Sequence, residues 1–213
     1  MELHLFRHGE TNWNRERRVQ GQSESHLTEL GIQQATELGH RIREIPFDRI
    51  YCSSSLRTRQ TAEHAFPNAE GDIVYQDALR EIFLGPWEGQ LYEDLEMSDP
   101  DSHRHFWQQP HLFRVEGAED FFKLQLRAID AIAQIESTHR SGAAGDTKIA
   151  LVSHGALIKS FLCHVEGRSM EQFWAPPRMH NCAHSIVKFS SNDDTSNASI
   201  VLYADQPASE EYL

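Results

Sequence analysis

Two short stretches of this 213-residue chain set a histidine against a glycine, Arg7-His8-Gly9 and Ser153-His154-Gly155. A neutral imidazole is a competent nucleophile toward phosphorus and needs no partner base at neutral pH. Arg7 adds a guanidinium that can fork onto phosphate oxygens, and Gly9 removes a side chain where a ligand must come close. Arg57 falls in the first turn of an expected helix, where backbone N–H groups already favour an anion. His154 ends an apolar run, so its ring is expected to reach the pocket of His8 as a cationic donor, with the backbone N–H of Gly155 as a further phosphate donor. Phosphomonoester hydrolysis also needs a proton for the leaving alkoxide and then a base for water. The 13 histidines raise a competing metal chemistry through His103, His105 and His111, or His180 and His184. The HExxH pattern is absent and no ordered set of acidic ligands accompanies these residues, so no metal and no cofactor is expected.

These groups need elements to hold them. Residues 3–6 read as a short buried strand ending at Arg7, and 48–52 as a second. Thr28 is a candidate N-cap for a helix over 29–44, where Ile32, Ala35, Leu38 and Ile42 recur at helical steps. Ser53, Ser54 and Ser55 offer caps for a helix reaching Ala65. Residues 66–78 read as a connection and 90–117 as irregular. The clearest helix is 118–139, with Phe121, Leu124, Ala128, Ile132 and Ile135 on one stripe. Ser141–Asp146 reads as a Gly/Ala loop. Ile149 to Val152 is a continuous apolar run typical of a central strand covered on both faces, followed by a helix to about His164. Late strands are expected at 185–189 and 199–203, joined by a polar turn at 191–197, and residues 210–213 read as a frayed end. Alternating strands and helices predict a three-layer α/β/α sandwich with a mostly parallel central sheet. In such sheets sites lie beyond the carboxyl ends of strands, where both His-Gly pairs fall. No repeat or linker divides the chain, so one domain over 1–213 is expected.

Composition removes several functions. Asp plus Glu number 32 against 20 Lys plus Arg, a net charge of −12. Such a surface repels nucleic acid and anionic membranes, so neither is an expected partner. No apolar run is long enough to span a bilayer, and the first residues lack the pattern of a secretory signal. Three cysteines without a CxxC pair predict no disulfide framework and a cytoplasmic location.

The stretch Arg7-His8-Gly9-Glu10-Thr11-Asn12-Trp13-Asn14, then Gln20-Gly21 and Leu27-Thr28-Glu29-Leu30-Gly31, resembles the signature of the histidine phosphatase superfamily, the phosphoglycerate-mutase-like fold. Ser53 with Leu56-Arg57-Thr58-Arg59-Gln60-Thr61-Ala62 is similar to a second block of that family. Leu79-Arg80-Glu81-Ile82-Phe83-Leu84-Gly85-Pro86-Trp87-Glu88-Gly89 and Ser153-His154-Gly155 are similar to a third and a fourth. Two departures stand out. His26 occupies a position often held by proline, with an expected effect on the pocket rim, and Ser54 and Ser55 replace a usual Pro and Leu.

The resemblance implies a catalytic set of His8, Arg7, Arg57, Glu81 and His154, and substrate contacts from Asn14, Gln20, Gly21 and Gly155. It selects Glu81 over Glu88 as the general acid and leaves Glu88 a structural role. It implies a metal-independent phosphomonoester hydrolase of the histidine acid type, acting on small phosphate esters through a phosphohistidine. The mutase branch usually has a longer chain and Glu-Arg-His-Tyr-Gly after the leucine. The segment here, Arg80-Glu81-Ile82-Phe83-Leu84-Gly85, looks like the phosphatase branch, with a cofactor-dependent phosphoglycerate mutase as the alternative. Residues 90–117 are expected to fold over the pocket mouth as a lid. That segment is expected to meet a carboxylate or second phosphate through Arg104 or Arg114, or an apolar leaving group through Phe106, Trp107 or Phe113, or else to pack its own aromatics as a surface subdomain.

Overall fold

The computed structural model describes residues 1–69, 71–140, 147–190 and 198–208. The loop expected over 141–146, the turn over 191–197 and the end at 210–213 lie outside the described residues. Seven strands form one mixed sheet: β1 (Glu2–Arg7), β2 (Arg49–Ser53), β3 (Ile73–Gln76), β4 (Lys148–Ser153), β5 (His184–Phe189), β6 (Ala198–Tyr203) and β7 (Gln206–Pro207). Their order is β3-β2-β4-β1-β5-β6-β7. The first four are parallel to one another, while β5, β6 and β7 continue the sheet antiparallel. The helices are α1 (Asn12–Arg15), α2 (Glu29–Ile42), α3 (Leu56–Ala65), α4 (Tyr92–Ser98), α5 (Pro100–Gln108), α6 (Phe121–Arg140) and α7 (Gly155–Val165).

Period-two alternation in the central strands builds the three layers. Phe6, Ala150 and Val152 face a core shared with Ala35, Leu38 and Ile42 of α2 and Ala62 and Ala65 of α3. Leu3, Leu5, Ile149 and Leu151 face the opposite core, where the α6 stripe Phe121, Leu124, Ala128, Ile132 and Ile135 is fully or almost fully buried. Thr28 caps α2 by accepting from Gly31 N–H at 3.0 Å.

Two expectations fail for local reasons. Residues 66–78 contain β3, a four-residue edge strand that pairs only with β2 and has no clean burial alternation. Residues 90–117 contain α4 and α5. Pro100 does not break structure here: it opens α5 at its first turn, after Asp99 has capped the helix by accepting from Ser102 N–H.

Strand register sets the plane of the site. Arg7 is level with Ser153 and Cys52 with Val152, so β1, β4 and β2 end together. On the β1–β5 pair, His4 Nδ1 and His184 Nε2 stand 2.9 Å apart in the interior. One must donate and the other accept, which neutral rings can do. Burial pushes His184 down to about 4 and lowers His4 as well. The unfolded chain therefore binds protons that the folded one refuses between about pH 6.5 and 4. Stability from this pair is complete above pH 6.5 and declines as pH falls through that window. Urea midpoints should drop between pH 7 and 5, and His184→Gln should flatten the slope; a midpoint unchanged over that range would refute the account.

Candidate active site

The carboxyl ends of β1, β2 and β4 open into a cavity of about 630 Å³. Arg7, His8, Asn14, Gln20, Gly21, Arg57, Glu81 and Gly155 all line it. His154 lies directly behind, its ring centroid 5.4 Å from that of His8. The nine residues expected from sequence thus gather at one place.

His8 is buried, and its Nδ1 lies 2.7 Å from Gly9 O. A carbonyl can only accept, so the ring proton sits on Nδ1 and the lone pair on Nε2. Burial, reinforced by Arg57 and Arg7, holds this imidazole well below its ordinary pKa. His8 is a neutral base with its free nitrogen fixed by a backbone bond.

Arg57 is fully buried in the first turn of α3 and donates to Gly21 O at 2.7 Å and Ser23 O at 3.0 Å. Burial lowers it to about 10, which leaves it a cation at neutral pH. Arg7 donates through Nη1 to Met179 O. Arg7 Nε, Arg57 Nε and His154 Nδ1 are buried side-chain nitrogens without a hydrogen-bond partner. Buried donors are normally satisfied, and the residues that carry two of these nitrogens, Arg7 and Arg57, line the cavity together with His8 and bring positive charge to it.

The expected imidazolium at His154 is not what its surroundings favour. Burial first, then the Arg57 charge, holds it well below its ordinary pKa. The Ser53 hydroxyl can accept from Ser55 N–H at 3.4 Å and donate to His154 Nε2 at 2.8 Å. Ser53 Oγ also lies 3.5 Å from Ser55 Oγ, so its one proton has two acceptors to choose between, and Nδ1–H of His154 is the donor when that proton goes to Nε2.

Glu81 sits on the amino end of α7. Its Oε1 accepts from Ile82 N–H at 3.0 Å and Leu157 N–H at 3.1 Å, and its Oε2 from Ala156 N–H at 3.1 Å. Glu88 does not line the cavity. It accepts from Gln22 N–H, Leu84 N–H and Ser23 Oγ–H, which ties two loops together. Asn14 and Gln20 each commit an amide oxygen locally, to Thr11 N–H and to Thr11 and Ser25 hydroxyls. Gly21 has φ +50°, and a Cβ there would stand 2.1 Å from Glu88 Oε1.

Several expectations need correction. Gly9 does not make room for a ligand: a Cβ there would meet Gly31 O at 2.6 Å, so it admits α2. His26 is exposed and does not line the cavity. Arg104 pairs with Asp101, and Arg114 lies over the Phe122 ring near Asp120, so neither lines the cavity. Phe106 and Trp107 do line it. His180 meets Asp205 at 3.1 Å and His184 meets His4. Among the described residues, no three His, Cys, Asp or Glu side chains group to hold a metal ion.

Sequence reasoning missed Ser53 as the partner of His154, although Ser53 opens the block that carries Arg57. It also missed Arg127, whose guanidinium donates to the carbonyls of Ala78, Arg80 and Glu81 and so anchors the segment bearing Glu81. An arginine on a long surface helix carries no signal of that role. Lys159, Trp174 and Arg178 of the cavity wall were likewise unseen.

The model of the histidine phosphatase superfamily (branch 1) matches residues 3–200, and the chain belongs to that family. Its fold is that of the phosphoglycerate-mutase-like members. It is 31% identical over 194 residues to the "Probable phosphoglycerate mutase GpmB" of Salmonella choleraesuis, covering 90% of this chain and 86% of that one. The solved structure of Bacillus stearothermophilus YhfR is 36% identical, covers 96% of both chains and superposes with a TM-score of 0.87. The alpha-ribazole phosphatase of Shigella flexneri shares the fold, with a TM-score of 0.83 at 23% identity over 99% of this chain and 100% of that one.

Gly21→Ala should destabilise the protein by about 2 kcal/mol or more, through the αL backbone and the Glu88 clash. It should also displace the carbonyl that receives Arg57. Urea unfolding reads the first effect, and phosphate or vanadate titration the second. A variant as stable as the parent would contradict the placement of Glu88.

Proposed function

We propose that the chain hydrolyses small phosphate monoesters by two-step transfer through His8, without a metal. What supports this reading is that Arg7, Arg57 and Glu81 line one cavity with the neutral ring of His8, and that the His154 ring lies 5.4 Å from that ring, centroid to centroid. His8 Nε2 attacks phosphorus, and the bond from phosphorus to the ester oxygen breaks. Glu81 in its acid form gives that oxygen its proton. Arg7, Arg57 and His154 hold the equatorial oxygens, where transition-state charge is spread. Water, deprotonated by the Glu81 carboxylate, then attacks phosphorus and the N–P bond breaks. Phosphate leaves and His8 returns to its neutral form. Asn14, Gln20, Gly21 and the Gly155 backbone contact the substrate, and residues 90–117 form the lid of a single domain.

A phosphohistidine should be trapped on His8 when labelled substrate is quenched in denaturant, and configuration at phosphorus should be retained. His8→Ala should lose at least about 10³-fold in kcat on an aryl phosphate. A variant keeping most of the activity would defeat the scheme.

The relative named a probable phosphoglycerate mutase favours a second reading in which the same phosphohistidine returns its phosphate to a bound acceptor. Phosphate release should exceed 2-/3-phosphoglycerate interconversion for this chain; dominant interconversion would establish the mutase instead. The acidic surface disfavours polyanionic partners. Among the described residues no helix is long and apolar enough to cross a membrane. The three cysteines are free and buried, as a reducing cytoplasm would keep them.

A further inference from the structure

Four cationic side chains line the cavity: Arg7, Arg57, Lys159 and Arg178. Three are committed to backbone oxygens. Arg7 and Arg57 bond the carbonyls described above, and Lys159, buried on α7, bonds Ala175 O and Pro177 O. Arg178 is exposed, and among the described residues its guanidinium has no carboxylate, carbonyl or aromatic partner.

The backbone that carries Arg178 is held on both sides. Arg168 donates to Ala175 O at 2.9 Å and Pro176 O at 3.1 Å, beside the Lys159 bonds. Met179 O receives Arg7. Trp174 Nε1 donates to Phe106 O at 2.6 Å and so ties this strap to α5. Burying the Lys159 ammonium is costly unless its donors are met, and here the strap's carbonyls meet them. An uncommitted arginine thus lines the cavity from a fixed segment, in the same lining as His8, Arg7 and Arg57.

The same lining includes an apolar group. Phe106, Trp107 and Trp174 pack edge-on or tilted with centroids 4.8–5.7 Å apart, and Ile82 and Leu84 line the cavity with them. An apolar body fits there, and Arg178 supplies one planar positive fork beyond it. A carboxylate matches that fork in geometry and in charge, whereas a second phosphate dianion would bring two charges to one guanidinium.

We infer that Arg178 is a specificity-determining residue that receives a carboxylate on the leaving group of the substrate, with an apolar or planar body lying along Trp107 and Trp174 between it and the phosphate. The inference rests on the phosphomonoester reading of the site. It places the acceptor of the second anion on the 174–179 strap rather than on the 90–117 insertion, where the sequence pattern points to Arg104 or Arg114.

The test compares 4-carboxyphenyl phosphate with its neutral isostere 4-carbamoylphenyl phosphate. The wild-type protein should favour the acid in kcat/KM by about tenfold or more, the range of one charge-assisted fork. Arg178→Gln should bring that ratio to about one, and Arg178→Lys should keep part of it, since a point charge lacks the second donor. A wild-type ratio near one, or an unchanged ratio in Arg178→Gln, overturns the inference. Calorimetric titration with the non-hydrolysable 4-carboxybenzylphosphonate and its amide reads the same preference in Kd. Absence of turnover with retained preference would count against the hydrolytic mechanism alone; equal binding of acid and amide would count against Arg178.

Discussion

Keeping a histidine neutral beside two guanidinium groups is the constraint around which this molecule is organised. The Arg57 guanidinium is buried and stays charged because carbonyls of Gly21 and Ser23 accept from it. Arg7 rests on Met179 O. Removing such charges from water is costly unless their hydrogen bonds are met. The carbonyls come from two loops far apart in sequence, so those loops must be held. Gly21 turns left-handed to present its oxygen, Glu88 ties that loop to the 81–89 segment, and Thr61 accepts from Gly9 N–H at 3.1 Å. Burial first, and then the same positive charges that would draw an anion, keep protons off His8 and His154.

The sheet supplies the common plane from which those loops leave. Parallel register sets Arg7 level with Ser153, and His8 N–H bonds Ser153 O at 3.0 Å. Two sequence-distant His-Gly pairs are therefore neighbours by strand pairing alone. α3 starts just past the end of β2 and brings Arg57 to the same plane. α7 begins at Gly155 and turns its amino end toward Glu81, so helix N–H groups fix a carboxylate at the cavity wall.

Much of this was legible because the relevant signals are short in range. The stripe on α6, the cap at Thr28 and the apolar run at 149–152 each reflect burial repeated at a fixed period. The histidines, arginines and Glu81 were found as types at spacings that a phosphate chemistry needs. What escaped depends on tertiary placement. β3 has no alternation because it lies at a sheet edge, and Pro100 starts a helix only because Asp99 caps it. Arg127 and Arg178 look like ordinary surface charges until the fold shows one clasping three carbonyls and the other facing a cavity. Strand-end position also says nothing of the burial and the neighbouring guanidinium groups that lower the His154 pKa.

The two halves of the cavity obey different physical rules, and that difference separates chemistry from selectivity. Its floor is made at strand ends, where backbone pairing sets each group to within the tolerance of a hydrogen bond. A shift there would break satisfied donors and leave a buried charge unpaired, so the floor resists change. Its far wall is made by α5 and the 174–179 strap, packed mainly through aromatic rings. Ring packing is less directional than hydrogen bonding, so residues there can be exchanged at smaller cost. A single floor can therefore serve many leaving groups as the wall varies. In this chain the wall combines indoles with one uncommitted arginine, and under the proposed reaction the choice of leaving group falls to that pairing rather than to the residues around His8.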